Sequence, residues 1–256
     1  MVVTEVRSSQ TGELIAPDPV LGQALANFPS DRRRTLIIAW TPIVVLALVL
    51  GLTTAQVNEW WGPVLTVGLI FVVSLPLGWY VLHVWNREIV LYEHGFSYRE
   101  GSETVYFRYD EIASIRQRAE RLAYFGGLIR RDVYRFTVTT HQAESFSITN
   151  LYRRAGELGA RLTEQINRVL GPKIAQRLAN GELIPFGDTL AASNEGLREN
   201  GRVLAWTDFG GYRLGSSRLT LLDAAGETWY ALPIAEVDNI NLLLELLRHH
   251  QPTKTE

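Results

Sequence analysis

The sequence contains no cysteine, and this absence excludes disulfide bonds, thiolate catalysis and cysteine-based metal sites. Lysine is nearly absent as well, since only Lys173 and Lys254 occur among the 25 basic residues and all the others are arginine. Schiff-base chemistry, which needs a lysine amine, therefore has few candidates. The lack of cysteine is also compatible with a reducing compartment such as the cytosol.

Charge is missing from two long stretches in the first third of the chain. No charged side chain occurs over residues 35–58 or, apart from one histidine, over residues 60–86. At about 1.5 Å of rise per helical residue, roughly 20 residues span a bilayer core about 30 Å thick. The sequence therefore predicts a transmembrane helical hairpin at residues 31–86, with spans at about 35–53 and 63–84.

The basic residues that flank these spans predict their orientation. Arg32, Arg33 and Arg34 precede the first span, Arg87 follows the second, and the connecting loop has no lysine or arginine. Short basic flanks stay on the cytoplasmic side, so both termini are predicted to be cytoplasmic and the membrane to be the cell (inner) membrane. A cleaved signal peptide is the competing interpretation of the first span, but the apolar run is too long for one and a second span follows at once.

The segments outside the spans divide into two tails and a large C-terminal part. Residues 1–30 contain prolines among serine, threonine and glycine and are interpreted as a flexible cytoplasmic tail. Residues 251–256 form a second, short tail. The part between the second span and this C-terminal tail is long enough for one large domain or two small ones.

This C-terminal part contains one pattern twice. Tyr109 matches Trp206 and Glu111 matches Asp208 at the same offset of 97 residues, and a glycine turn precedes each match. Strand-like alternation follows in each copy, as in Tyr134, Phe136 and Val138. An apolar-striped helix then closes each copy. The sequence thus predicts two modules, at residues 87–180 and 181–250.

The two closing helices are predicted from apolar residues at spacings of three or four. In the first copy this stripe runs over residues 151–169, and Gly171-Pro172 is predicted to break the helix. Pro172 is then expected to start another helix, which Gly181 ends. In the second copy the stripe runs over residues 237–247.

Several antiparallel strands followed by one helix are typical of a pleckstrin-homology (PH)-like barrel or half-barrel. The run Leu91-Tyr92-Glu93-His94-Gly95-Phe96-Ser97-Tyr98-Arg99, followed by Tyr109-Asp110-Glu111-Ile112, resembles an uncharacterised family of bacterial membrane-anchored proteins with PH-like domains. The resemblance implies an α+β fold in which the transmembrane hairpin precedes tandem PH-like antiparallel modules. It implies no enzymatic activity.

The first copy is longer than the second between its acidic corner and the next strand. The excess is rich in arginine and has aromatic and aliphatic residues at its centre, a composition suited to contact with an anionic bilayer or a protein partner. A hairpin whose apolar tip packs on the second copy or on another chain is the alternative. The predicted contact residues are Arg116, Arg118, Arg121, Tyr124, Phe125, Arg130 and Arg131.

Motifs for catalysis are scarce in this sequence. No histidines stand at metal-ligand spacing, no glycine loop carries the lysine and hydroxyl residue of a phosphate site, and Asp110-Glu111 is explained by local capping. We therefore expect no enzyme, no cofactor and no metal, and the near-neutral charge argues against nucleic acid. The expected function is protein or anionic-lipid binding at the membrane, including self-association. A role as accessory or assembly subunit of a larger membrane complex is the alternative.

Overall fold

The computed structural model of the chain describes residue 6 and residues 15–57, 61–124 and 129–251. Within these residues the fold is α+β, as predicted. Two apolar helices lie near the N-terminus, and the strands form four antiparallel sheets. None of the four sheets in the described part closes into a barrel, so the closed form of the predicted modules is not what the chain adopts.

The chain divides into two compact units that do not follow the order of the sequence. Unit 1 comprises Met1–Phe107 with Leu151–Arg154, and unit 2 comprises Arg108–Asn150 with Ala155–Glu256. The predicted first module, 87–180, therefore contributes residues to both units.

Two long helices of unit 1 contain the predicted spans. Helix α1 runs over Arg32–Val57 and helix α2 over Trp61–Trp85, and the two contact each other. Pro42 and Pro76 lie inside them. Both helices are long enough and apolar enough to cross a membrane, as the sequence predicted.

The surface of these helices is apolar on all sides. Of the 26 large hydrophobic side chains that are exposed among the described residues, 19 lie on α1 and α2. The hydroxyls of Thr41, Thr66 and Ser74 donate to carbonyls one turn earlier in their own helices, at 2.6, 3.0 and 2.7 Å. Because these hydroxyls are satisfied internally, they need no water, and the helix surface suits a hydrocarbon environment.

The two helices are inserted into a β-hairpin. Strand β1, Ala24–Pro29, precedes α1 and pairs antiparallel with β2, Glu88–Tyr92, which follows α2. Strands β3, Gly95–Glu100, and β4, Glu103–Arg108, complete this sheet of unit 1.

The interpretation of residues 1–30 as a flexible tail is therefore wrong for Ala24–Pro29. Phe28 in this strand is only 1% exposed, and Pro29 lies opposite Glu88. The proline- and glycine-containing part of the tail ends at Gly22, so the strand itself contains no glycine and only a terminal proline.

Unit 2 contains three sheets and two helices. The first sheet, in the order β5-β6-β7, is built from Ile112–Tyr124, Ile129–Thr140 and Ser145–Thr149. The second, in the order β11-β10-β9-β8, is built from Arg202–Ala205, Gly196–Glu199, Leu190–Ala192 and Ile184–Pro185. The third, β12-β13-β14, is built from Phe209–Leu214, Arg218–Asp223 and Thr228–Pro233. Helices α3 and α4 span Ala155–Ala179 and Ile240–His250.

The same order of elements occurs twice along the chain. Three strands, β2–β4, lead to the 3₁₀ turn Tyr109–Glu111 and then to β5–β7 and α3. Strands β9–β11 lead in the same way to the 3₁₀ turn Trp206–Asp208, then to β12–β14 and α4. At the first turn the Glu111 carboxylate accepts the Arg108 backbone N–H at 3.0 Å, which is a local cap and needs no catalytic explanation.

Helix α3 contradicts the predicted break at Gly171-Pro172. It continues through Pro172, and Leu170 and Leu178 are buried on either side of that residue. The burial of Leu170 and Leu178 offsets the roughly 3 kcal/mol that a proline inside a helix costs. The helix ends at Ala179, and Gly181 follows with φ +79°, the left-handed conformation that terminates many helices.

Candidate functional site

The predicted arginine-rich insertion is a long antiparallel hairpin. Strand β5 has 13 residues and β6 has 12, whereas the corresponding strands β12 and β13 of the second copy have six each. The register runs from Ile112 opposite Thr140 to Tyr124 opposite Ile129. The extra length of the first copy therefore lies in this one hairpin.

The predicted contact residues lie at different levels of the hairpin. Arg116 and Arg118 are in β5, near the base, and their side chains are described. For Arg121, Tyr124, Arg130 and Arg131 the structure describes the backbone alone, within β5 and β6. Phe125 lies outside the described residues.

The base of the hairpin has one buried and one polar face. Ile115 and Val138 are opposite each other and fully buried, and Phe136 continues this face at 6% exposure. Arg118 and Arg135 are also opposite each other, and both are exposed on the other face. Strand alternation thus presents guanidinium groups from both strands on the polar face.

Arg116 is engaged in a structural ion pair. Its Nε donates to Asp238 Oδ1 at 2.9 Å and its Nη2 to Asp238 Oδ2 at 3.2 Å, a bidentate geometry. Asp188 lies 3.5 Å from the same Nη2. Hydrogen bonding to Asp238 raises the pKa of the Arg116 guanidinium. Since its charge is already compensated, Arg116 contributes less to an anion-binding surface than the sequence suggested.

Asn239, the residue after Asp238, forms hydrogen bonds with the backbone of β5. The Asn239 side chain accepts the Ile115 N–H at Oδ1 (3.0 Å), and the Asn239 N–H donates to the Ile115 carbonyl at 2.9 Å. Asn239 is 4% exposed and has a left-handed backbone, with φ 50°. Asp238 and Asn239 therefore clamp the base of the arginine-rich hairpin.

A groove of about 580 Å³ lies on the polar face of the hairpin base. Besides Arg118, Arg135 and Thr137 of the hairpin, its walls include Ser216 and Ser217. Guanidinium and hydroxyl groups together are donors suited to a phosphate or carboxylate. Arg135 was not among the predicted contact residues, because only the strand register shows that it faces Arg118.

A second groove, of about 810 Å³, runs between α3 and α4. Its floor includes the apolar side chains of Ile174, Leu178, Leu242 and Leu246. Sequence reasoning missed this groove, because no local pattern indicates that α3 and α4 lie side by side. Among the described residues, no group of three His, Asp or Glu side chains could hold a metal ion.

Comparisons with known proteins give a family but no function. Residues 12–256 match the model of a family of unknown function (DUF6585). No curated protein and no solved structure matches the chain.

Proposed function

Since the chain belongs to the DUF6585 family, whose function is unknown, we propose from its geometry that it is a non-enzymatic integral membrane protein. Helices α1 and α2 anchor it in the bacterial inner membrane. The strand-rich remainder, arranged as two PH-like half-barrel modules, lies on the cytoplasmic face and binds a protein partner or anionic lipid headgroups.

The pairing of β1 with β2 carries the topological part of this proposal. Strand β1 precedes α1 and β2 follows α2, and the Ser30 N–H donates to the Arg87 carbonyl at 2.9 Å. Two segments in hydrogen-bond contact lie on the same side of a membrane, so any chain between them crosses it an even number of times, and α1 and α2 provide two such crossings. A single crossing would place β1 and β2 on opposite sides of the membrane, where they could not pair.

The basic flanks support the cytoplasmic placement of this sheet. Arg32, Arg33 and Arg34 begin α1 and Arg87 follows α2, whereas residues 53–59 contain no basic side chain. Short positive flanks are retained in the cytoplasm. The β5–β6 hairpin, with Arg118 and Arg135 on its polar face, is the surface that we assign to headgroup or partner contact.

A subunit role in a larger membrane complex is the second candidate. It is favoured by the apolar groove between α3 and α4, which is large enough for side chains of a partner helix. A companion protein present in equal amounts after mild-detergent extraction would support this role. A lone monomer or homo-oligomer would support the self-contained protein.

Topology is testable with single cysteines, because the chain has none of its own. Gln56→Cys lies in the last turn of α1, beyond the end of the candidate span at Thr54, and Ser102→Cys lies in the exposed turn after β3. On intact cells or spheroplasts, a membrane-impermeant maleimide is expected to label Gln56→Cys at once and Ser102→Cys only after lysis. Labelling of both positions from the same side, or release of the protein by alkaline carbonate, would contradict the two-span anchor.

The lipid-binding part of the proposal needs a soluble protein, here called the excised protein, in which residues 31–86 are replaced by Asn-Gly. Gln substitution of Arg118, Arg121, Arg130 and Arg131 is expected to weaken its binding to phosphatidylglycerol vesicles more than tenfold at low salt. Arg116 is left intact because it pairs with Asp238. Equal loss in a control with Gln at Arg161, Arg168, Arg177 and Arg198 would show that net charge, and not the hairpin, determines binding.

A further inference from the structure

Three distant segments of unit 1 meet where the two helices begin and end. Ser30 is the central residue: its N–H donates to the Arg87 carbonyl at 2.9 Å, and its Oγ donates to the Trp85 carbonyl at 3.1 Å. Ser30 also forms an isolated antiparallel bridge with Tyr152. Ser30 and Tyr152 are 4% and 3% exposed. The start of α1 and the end of α2 are thus tied to a segment far along the chain.

The third segment, Leu151–Arg154, is held by backbone hydrogen bonds on both sides of Ser30. The Leu151 carbonyl accepts the Asp31 N–H at 2.7 Å, and the Arg153 N–H donates to the Pro29 carbonyl at 2.8 Å. Helix α1 begins at the next residue, Arg32. Residues 151–154 therefore lie beside the first turn of the first span.

This contact adds two arginines to the three that begin α1. We name the resulting set the arginine collar; its members are Arg32, Arg33, Arg34, Arg153 and Arg154. Asp31 is the single carboxylate in the two segments 29–34 and 151–154. It caps α1 by accepting the Arg34 backbone N–H at 3.2 Å. These two segments thus contain five guanidinium groups and one carboxylate, and the Glu100 carboxylate is paired with Arg87 at the end of α2.

Two of the five collar side chains are exposed and unpaired among the described residues. Arg33 and Arg153 are exposed and make no ion pair with any residue that the structure describes. The Arg32 guanidinium lies 5.2 Å from the centre of the Trp85 ring, and that of Arg154 lies 5.5 Å from the Phe28 ring. Contact with an aromatic ring positions a guanidinium group.

We propose that the arginine collar binds the phosphate groups of anionic phospholipids in the leaflet that α1 enters. The collar stands at the first residues of an apolar span, which is the level at which headgroup phosphates lie. Guanidinium groups match phosphate with paired N–H donors, and Trp85, which contacts Arg32, is a residue type suited to the interface. The inference rests on the membrane anchor of the proposed function and is independent of the β5–β6 hairpin.

The test uses the full chain in phosphatidylcholine bilayers that contain a trace of spin-labelled lipid. Electron paramagnetic resonance measures how much better labelled phosphatidylglycerol associates with the protein than labelled phosphatidylcholine. The wild-type chain is expected to prefer phosphatidylglycerol, and Arg33→Gln with Arg153→Gln is expected to lower the preference about fivefold at low salt. Arg33→Lys with Arg153→Lys, which keeps both charges, is expected to retain most of it.

Arg161→Gln with Arg177→Gln, on exposed positions of α3, removes the same charge elsewhere and is expected to leave the preference unchanged. The collar proposal is overturned if the wild type shows no preference, if the Arg33/Arg153 pair does not reduce it, or if the α3 control reduces it equally. In each of these cases, resistance of the protein to alkaline carbonate would show that the membrane anchor itself still holds. Release by carbonate would instead remove the proposed function.

Discussion

The excised protein, with Asn-Gly in place of residues 31–86, is expected to leave the membrane pellet completely and to remain folded in solution. Nineteen exposed large apolar side chains of the described residues lie on α1 and α2 and would be removed with them. Each such side chain is worth about 1.5–3 kcal/mol when it leaves water, so together they are sufficient for the membrane anchor that we propose. Sedimentation after alkaline carbonate treatment measures the change.

The structure shows why this large deletion is tolerable. Ser30 and Arg87 already lie opposite each other at the end of the β1–β2 ladder, and their 2.9 Å hydrogen bond suits a two-residue turn. Asn-Gly is the preferred sequence for such a turn. A control that deletes residues 15–86 removes β1 as well and exposes the partner edge of β2. If the excised protein aggregates as readily as this control, the helices contribute to the fold itself and the insertion interpretation is wrong.

Replacing Asn239 by alanine is expected to cost the excised protein about 2–4 kcal/mol of unfolding free energy. The buried Ile115 N–H would lose its acceptor, and an unsatisfied buried donor costs about 1–3 kcal/mol. Alanine would also have to adopt the left-handed backbone of Asn239, with φ 50°, at a further cost of roughly 1 kcal/mol. Chemical denaturation measures the sum.

Two other substitutions separate these contributions. Asn200 has a left-handed backbone too, with φ 44°, but is exposed and bonds the neighbouring Glu199 side chain, so Asn200→Ala reports the backbone cost almost alone. Asn239→Gly removes the side chain without backbone strain. If Asn239→Ala is no more destabilising than Asn200→Ala, Asn239 does not clamp the hairpin. If Asn239→Ala is the more destabilising, hydrogen exchange of the backbone amides of Ala113–Arg116 is expected to accelerate in that variant.

The sequence was sufficient for features that depend on local composition. A long run without charge predicts a helix that can span a membrane, because this capacity depends only on the length and polarity of the run. Helices α1 and α2 contain both predicted spans. The repeated aromatic-x-acid corner likewise marks a 3₁₀ turn at Tyr109–Glu111 and again at Trp206–Asp208. In both cases the residues that determine the structure are neighbours in the chain.

Features that depend on distant partners could not be read in this way. Arg116 looked like a surface arginine because Asp238, which pairs with it, lies 122 residues further along. Strand β1 was interpreted as tail because its partner β2, in which Ile89 lies opposite Phe28, follows only after both helices. Pro172 looked like a helix break because the packing of Leu170 and Leu178, which outweighs its cost, is absent from local propensity.

The insertion of two helices between β1 and β2 also has a consequence for biosynthesis. A ribosome delivers β1 first, yet its hydrogen-bonding partner emerges only after α1 and α2 have been made. Until both helices have been made, the backbone of Ala24–Pro29 lacks the partner strand β2. If the chain is anchored as we propose, completion of the first sheet is coupled to membrane insertion, because a nascent chain that fails to insert its second helix cannot bring β2 to β1.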